Sequence, residues 1–319
     1  MIGGLVKQVK GMMQKRDIPI ILWGLITLLI VLGLVSPNSV KPAHLLDFTR
    51  QAAPMILASI GQTIVMLIGG LDLSVAAVMV LVDVVAAQMM MNDPSKALPV
   101  ALFCICIGAV IGLVNGLLCA VLHMPSFVVT LGMSTLLLGV TLLYSGGSPK
   151  GSIPDNFRFL GTGFAGGIPM AAIVWAVITV LVVLMMKFLP IGRYIVATGV
   201  NPMAVYQSGV DHVRIQLLCY MLCGVFAALA GLQISAYIGT ASLQLGEDYQ
   251  TRSIAVALLG GAAFTGGKGS ISGTVAASLF MVVMSSLVAV LHMDGGDQSI
   301  IQGIIILAGL LLSSLKKDD

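Results

Sequence analysis

Hydrophobic positions in this chain fall in long, nearly uninterrupted runs separated by short polar breaks. A bilayer-crossing helix needs about 20 mainly apolar residues. Ten runs meet or approach that length, at about 18–36, 50–68, 73–91, 98–121, 126–145, 169–190, 213–237, 251–263, 271–291 and 299–315. The pattern predicts an all-α polytopic membrane protein. Its expected parts are an N-terminal segment 1–17, one transmembrane domain over 18–315 and a tail at 316–319. The eighth run is short for a bilayer and leads into "GGAAFTGGKGS" (260–270). A broken span of that kind is tolerated only where protein or a watery cavity covers its free backbone groups.

Composition agrees with the pattern. Hydrophobic types make up 58% of the 319 residues and charged types 9%, against roughly 25% charged in soluble domains. The mean hydropathy is +1.06. The apolar stretch 18–36 is longer than a signal-peptide core of roughly 7–15 residues, and no small-x-small site follows it. It is expected to stay as the first span. The positive-inside rule orients the chain. With the N-terminus inside, the inner segments hold ten Lys and Arg residues and the outer segments six. Both ends are therefore expected in the cytoplasm.

Two breaks stand out. The outer one, "GGSPKGSIPDNFRFLGTGFAGGI" (146–168), is rich in turn formers. The inner one, at 192–212, contains "NPMAVYQSG" (201–209), which reads as a short surface helix. Asn201 can cap it, Pro202 suits its first position and Gly209 can end it. "TIVMLIGG" (63–70) and "IAVALLGG" (254–261) both close an apolar run on Gly-Gly, which leaves an internal duplication open.

Most enzyme motifs fail on inspection. "GTGFAG" (161–166) fits GxGxxG but lies in a loop between spans, without the strand and helix a dinucleotide fold requires. "GAAFTGGKG" (261–269) is one residue too long for a phosphate loop, and Gly269 stands where a Mg²⁺-binding hydroxyl belongs. The five cysteines lie in apolar runs and read as small buried hydrophobes. The four histidines are scattered at span ends. No catalytic residue, metal ligand, cofactor or nucleic-acid partner is expected.

Small and polar residues inside the spans carry more information. Gly108, Gly112 and Gly116 recur every four residues, and Gly269 and Gly273 open the ninth span with the same spacing. Such faces let helix backbones approach closely, here within one subunit in preference to a subunit interface. Asp83 is the one acidic residue well inside a span, where a charge costs roughly 3 kcal/mol. Gln62, Asn115, Thr130 and Gln233 can bond between helices or to a polar solute. Asp72 follows Gly69-Gly70 and can cap the third span, with Ser74 as a second candidate. Gln62, Asp72, Ser74, Asn115 and Thr130 are the candidates for a translocation path or gate. No charged row or acidic-histidine run suggests a voltage sensor or proton relay.

Four stretches in order, "TIVMLIGGLDLSVAAVM", "GLVNGLLCAVLHMPSFVVTLGMSTLLLGVTLLYSGG", "IGRYIVATGVNPMAVYQSGV" and "LLGGAAFTGGKGSISGTVAASLF", resemble the permease subunits of bacterial ATP-binding-cassette importers for monosaccharides, the ribose type. The resemblance runs from about residue 50 to the C-terminus. It departs mildly in "LDLSVAAVM", where the family often has Ile before the Asp and Gly after "LSV". It implies a multi-pass protein of the bacterial inner membrane that pairs with a second permease, identical or not. It also implies a separate cytoplasmic ATPase and a periplasmic sugar-binding protein as partners. Asn201, Pro202, Ala204, Ser208 and Gly209 match the region that in the family couples to the ATPase. The rival readings are a gradient-driven carrier or channel and, less favoured, a membrane scaffold.

Overall fold

The computed structural model describes residues 20–293 apart from 245, and positions 296, 297, 300, 301, 303 and 304. The N-terminal segment, the tail and most of the expected tenth span lie outside the described residues. Helices account for nearly all of the described chain. They are α1 (Ile20–Val35), α2 (Pro42–Gln51), α3 (Ala53–Leu67), α4 (Val75–Met90), α5 (Ala97–Gly116), α6 (Ser126–Ser145), α7 (Asp155–Thr162), α8 (Met170–Phe188), α9 (Pro190–Val200), α10 (Pro202–Gln207), α11 (His212–Ile238), α12 (Glu247–Leu259) and α13 (Ile271–Val290). Among the described residues, five stretches are long and apolar enough to cross a membrane: Pro94–Val121, Ser126–Ser145, Met170–Phe188, His212–Ile238 and Ile271–Val290. Three shorter apolar helices join them, Ile21–Val35, Ala53–Leu67 and Val75–Met90.

Helix α11 is the axis of the bundle. Its 27 residues span roughly 40 Å. Asp211 starts it, accepting the N–H groups of Val213 and Arg214 at 3.0 and 3.3 Å. Around it pack α3, α4 and α5, while α13 packs on α1, α3 and α12. Helices α6 and α8 present Leu131, Leu138, Leu143, Val177, Leu181 and Leu184 outward. In water such a surface would aggregate; in lipid it is the solvated face.

The structure corrects four sequence expectations. The second span is split at Ala52, because Pro54 cannot donate the N–H that would carry α2 into α3 unbroken. The outer break 146–168 is structured: it holds α7 and a two-strand hairpin pairing Phe164 with Pro169 and Ala165 with Ile168. The inner break carries two helices, α9 and α10, where one was expected. The eighth span begins and ends about four residues earlier than its apolar run suggests, since polar Glu247–Arg252 forms its first turns.

That eighth helix, α12, has 13 residues and rises about 20 Å, too little for a hydrocarbon core of about 30 Å. Ahead of it an irregular segment, residues 239–244, lies alongside α4. Its upper end is fixed by the Ser152–Thr240 bridge and by the Ile153 N–H donating to Gly239 O at 3.0 Å. Lower down, Ser242 meets Asp83, and Gly246 lies against Val80 and Ala76.

Helices α3 and α12 close in the same way. Gly69 and Gly261 take φ of +79° and +99°. In α3 the Gly69 N–H reaches Met66 O and the Gly70 N–H reaches Val65 O; in α12 Gly261 reaches Leu258 O and Ala262 reaches Ala257 O. Both are Schellman closures, which place glycine at the left-handed position. The structural equivalence is thus Gly69 with Gly261, one residue out of register with the matched Gly-Gly strings. Each closure leads into a helix whose N-cap is serine, Ser74 or Ser270.

Candidate coupling and translocation site

At one end of the bundle three backbone segments converge. The last turn of α9 brings Gly199 against Leu67 O, at the end of α3, and against Gly267. The Gly267 N–H donates to Leu67 O at 2.8 Å, satisfying a carbonyl that the helix end would otherwise leave bare. Gly266 lies against Gly69 and Gly199. A side chain at Gly199 would overlap the Leu67 carbonyl, so α9, the α3–α4 turn and the 261–269 loop touch backbone to backbone.

Helix α10 hangs directly below this junction. Asn201 Oδ1 accepts the Ala204 N–H at 3.1 Å, Pro202 occupies the first turn, and the Ser208 hydroxyl donates to Ala204 O at 2.8 Å. Gly209 follows with φ +81°. Three large apolar side chains, Val200, Met203 and Tyr206, stand exposed at 72, 62 and 62%. Met203 and Tyr206 lie three residues apart on α10, and Val200 ends α9 just before the extended Asn201. That is a largely exposed apolar patch on a polar turn, touched at its edges by the His212 ring against Tyr206 and by Gly267 against Val200.

Above the junction, four of the five path candidates meet. Asp72 Oδ1 accepts the Ser74 N–H at 2.8 Å and the Ser74 hydroxyl at 2.6 Å. Asn115 Nδ2, from α5, donates to Ser74 Oγ at 2.9 Å. Thr130 donates to Ser126 O at 2.8 Å and approaches Leu71 O at 3.4 Å, while Ser126 Oγ accepts the Leu71 N–H at 3.2 Å. Asp72 thus organises the entry to α4 one step ahead of the N-cap, and Ser74 serves Asp72 and Asn115 in place of capping the helix itself. All four side chains are buried. Gln62 stands apart, two turns back along α3; it is fully buried, and neither amide atom has a hydrogen-bond partner.

Asp72→Ala should orphan the Ser74 N–H and cost about 1 kcal/mol, the usual loss on removing such a side chain at a helix entry. The expected result is less folded protein in the membrane with solute preference unchanged. Detergent-extracted yield and uptake of competing solutes measure the two effects. Normal yield with a changed preference would make Asp72 a specificity residue instead.

The glycine stripe sits within the subunit. Gly108 lies against Gly224 O and the Ala228 Cβ, Gly112 against Tyr220 O, and Gly116 against Leu217 and Tyr220. Gly273 lies on Gly260 O and Gly269 on the Leu67 side chain. The reciprocal residue Gly224 belongs to no regular repeat and escaped sequence reading. So did Ser235 and Ser242, which bond the Asp83 carboxylate at 2.6 and 2.8 Å. Gln233 donates to Leu160 O at 3.1 Å, tying α11 to α7.

Residues 44–311 match the family model described as a branched-chain amino acid transport system permease component. The chain belongs to this permease family. The permease is 34% identical to the ribose import permease protein RbsC of Bacillus subtilis over 308 residues, covering 96% of this chain and 94% of that protein. It is 31% identical over 297 residues to RbsC of Escherichia coli K12, with 92% of each covered. It is 32% identical over 310 residues to the galactose/methyl galactoside import permease protein MglC of E. coli K12, again with 92% of each covered. No solved structure gives a significant match. The permease is a multi-pass inner-membrane protein, and its relatives are transport subunits of import systems.

Proposed function

We propose that this permease forms the translocation path of an ATP-binding-cassette importer for a monosaccharide. In this reading it pairs with a second permease, is driven by a separate ATPase and is fed by a periplasmic sugar-binding protein. The observation that carries the reading is α10, whose exposed Met203 and Tyr206, with Val200 just ahead of it, offer a seat to another chain at one end of the bundle. The names of relatives matching over nine tenths of the chain supply the solute class.

The geometry suggests how force would travel. A push on α10 reaches α9 through the Asn201 cap. From Gly199 it passes by backbone contact to the α3–α4 turn and the 261–269 loop, with no flexible side chain between. Asp72, Ser74, Asn115 and Thr130 hold that turn in one arrangement and frame the inner gate. Gln62 is the remaining path candidate: its buried, unpartnered amide costs about 1–3 kcal/mol, which a solute hydroxyl or water reaching it once the path opens would offset.

Met203→Asp tests the reading. The side chain is exposed, so abundance in the membrane should hold, within about 0.5 kcal/mol of stability. Burial of an unpaired carboxylate against the ATPase should abolish ATP-driven uptake in liposomes containing all partners. Full ATP-driven uptake by the variant, or sugar uptake by liposomes holding this permease alone, would overturn it.

A further inference from the structure

A second recess lies at the opposite end of the bundle from α10, some 40 Å along α11. It is a cavity of about 200 Å³ between the last turn of α2, the first turn of α3, the last turn of α11 and the start of α12. Arg50, Gln51, Tyr237 and Tyr249 supply its polar and aromatic walls; Pro54 and Ile238 belong to its apolar side. A cavity of roughly 150 Å³ accepts a benzene ring, so this one has room for a single five- or six-membered ring.

The wall chemistry narrows the guest. The Arg50 guanidinium stacks over the Tyr237 ring with its carbon 5.3 Å from the centroid. Its charge is balanced by an ion pair with Asp47, and Gln51 Nε2 donates to the same carboxylate at 2.7 Å. A guanidinium already paired with a carboxylate calls for neither an anion nor a cation. Arg50 Nε is nonetheless buried without a hydrogen-bond partner. Two tyrosine rings and an apolar side offer a face for C–H groups, while the guanidinium and the Tyr237 phenol offer hydrogen bonds. A neutral ring bearing hydroxyl groups on one side and C–H groups on the other fits both demands.

We propose that this cavity is the entry subsite at which an incoming monosaccharide first binds the permease. The proposal rests on the importer reading above and adds a location and named residues to it. Tyr237 is the platform, Arg50 the donor over its ring, and Tyr249 a further wall.

The test uses the full importer, with permease, ATPase and binding protein, in liposomes with D-ribose and D-galactose as probes. Tyr237→Leu keeps the apolar volume and removes the ring and hydroxyl. It should lower sugar moved per ATP hydrolysed by about tenfold while binding-protein-stimulated ATP hydrolysis persists. Tyr237→Phe should restore most of the loss. In parallel, Ile238→Cys on the cavity wall should react with a membrane-impermeant maleimide more slowly in either sugar than in a matched concentration of leucine. Wild-type sugar-to-ATP ratios in Tyr237→Leu, or labelling slowed by leucine and not by sugar, would overturn the subsite. Failure of the importer reading looks different: the wild-type assembly itself would move neither sugar.

Discussion

Gly112→Leu is expected to remove this permease from the membrane fraction. Gly112 sits where α5 crosses α11, and any Cβ there would overlap the Tyr220 carbonyl. One turn earlier, Gly108 and Gly224 approach each other's carbonyls in the same fashion. Lipid tails compete well for leucine, so association of these helices depends on close backbone packing, not on burying more apolar area. Forcing the axes apart would break the contact along several turns. Overpacking a core site costs typically 1–3 kcal/mol and occasionally more, and the rigid backbone carbonyl opposite Gly112 puts it in the upper range. Gly139→Leu is the matched control, because nothing lies within 4 Å of a Cβ at Gly139 on the outward face of α6. The measurement is the monodisperse peak of detergent-extracted protein, near wild type for Gly139→Leu and absent for Gly112→Leu. Equal peaks would mean that the α5–α11 crossing is not the tight seam described above.

The second large effect centres on Asp83. Its carboxylate is fully buried half-way along α4. One oxygen accepts the Ser242 N–H and the other the Ser235 hydroxyl, which also lies 2.8 Å from Gly231 O. The Ser242 N–H belongs to the irregular 239–244 segment, which has no helix to satisfy it. At membrane depth a bare N–H is costly, and Asp83 is the residue that supplies its acceptor. Asp83→Ala should therefore cost about 1–3 kcal/mol for the orphaned N–H, loosen the segment and reduce uptake. Asp83→Asn should behave like wild type. Its carbonyl can accept from Ser242, and its amide can donate to Ser235 Oγ while that hydroxyl donates to Gly231 O. A proton-carrying carboxylate would show the reverse order, with Asn as damaging as Ala. Uptake and thermal stability of the two variants, side by side, separate these roles.

Some of the site was legible before folding. The Asn201–Pro202 start and Gly209 end of α10 were readable because capping is local: acceptor, donor and turn lie within a few residues. The Gly108–Gly112–Gly116 stripe was readable as a close-packing face for the same reason. Its partner was not, since Gly224 and the Tyr220 carbonyl lie more than 100 positions away and carry no periodic signal. Asp83 was conspicuous as the lone mid-span acid, yet its purpose depended on a loop 159 residues later. Helix α9 of the inner break and α7 of the outer break were missed because short amphipathic turns there are stabilised by docking onto α11 and α8.

By itself, the sequence determined the solvent, the number of apolar runs and the family, because transfer of side chains into lipid is additive along the chain and motif order is one-dimensional. It also placed the short helix at 201–209 through its caps. Tertiary structure alone decided that the eighth helix stops part-way and that Asp83 serves the backbone hanging above it. It also set Gly199 against the end of α3 and assembled Arg50 with two tyrosines into one recess. Each of these joins groups distant along the chain through contacts of a few ångströms, and such distances exist only once the helices have packed.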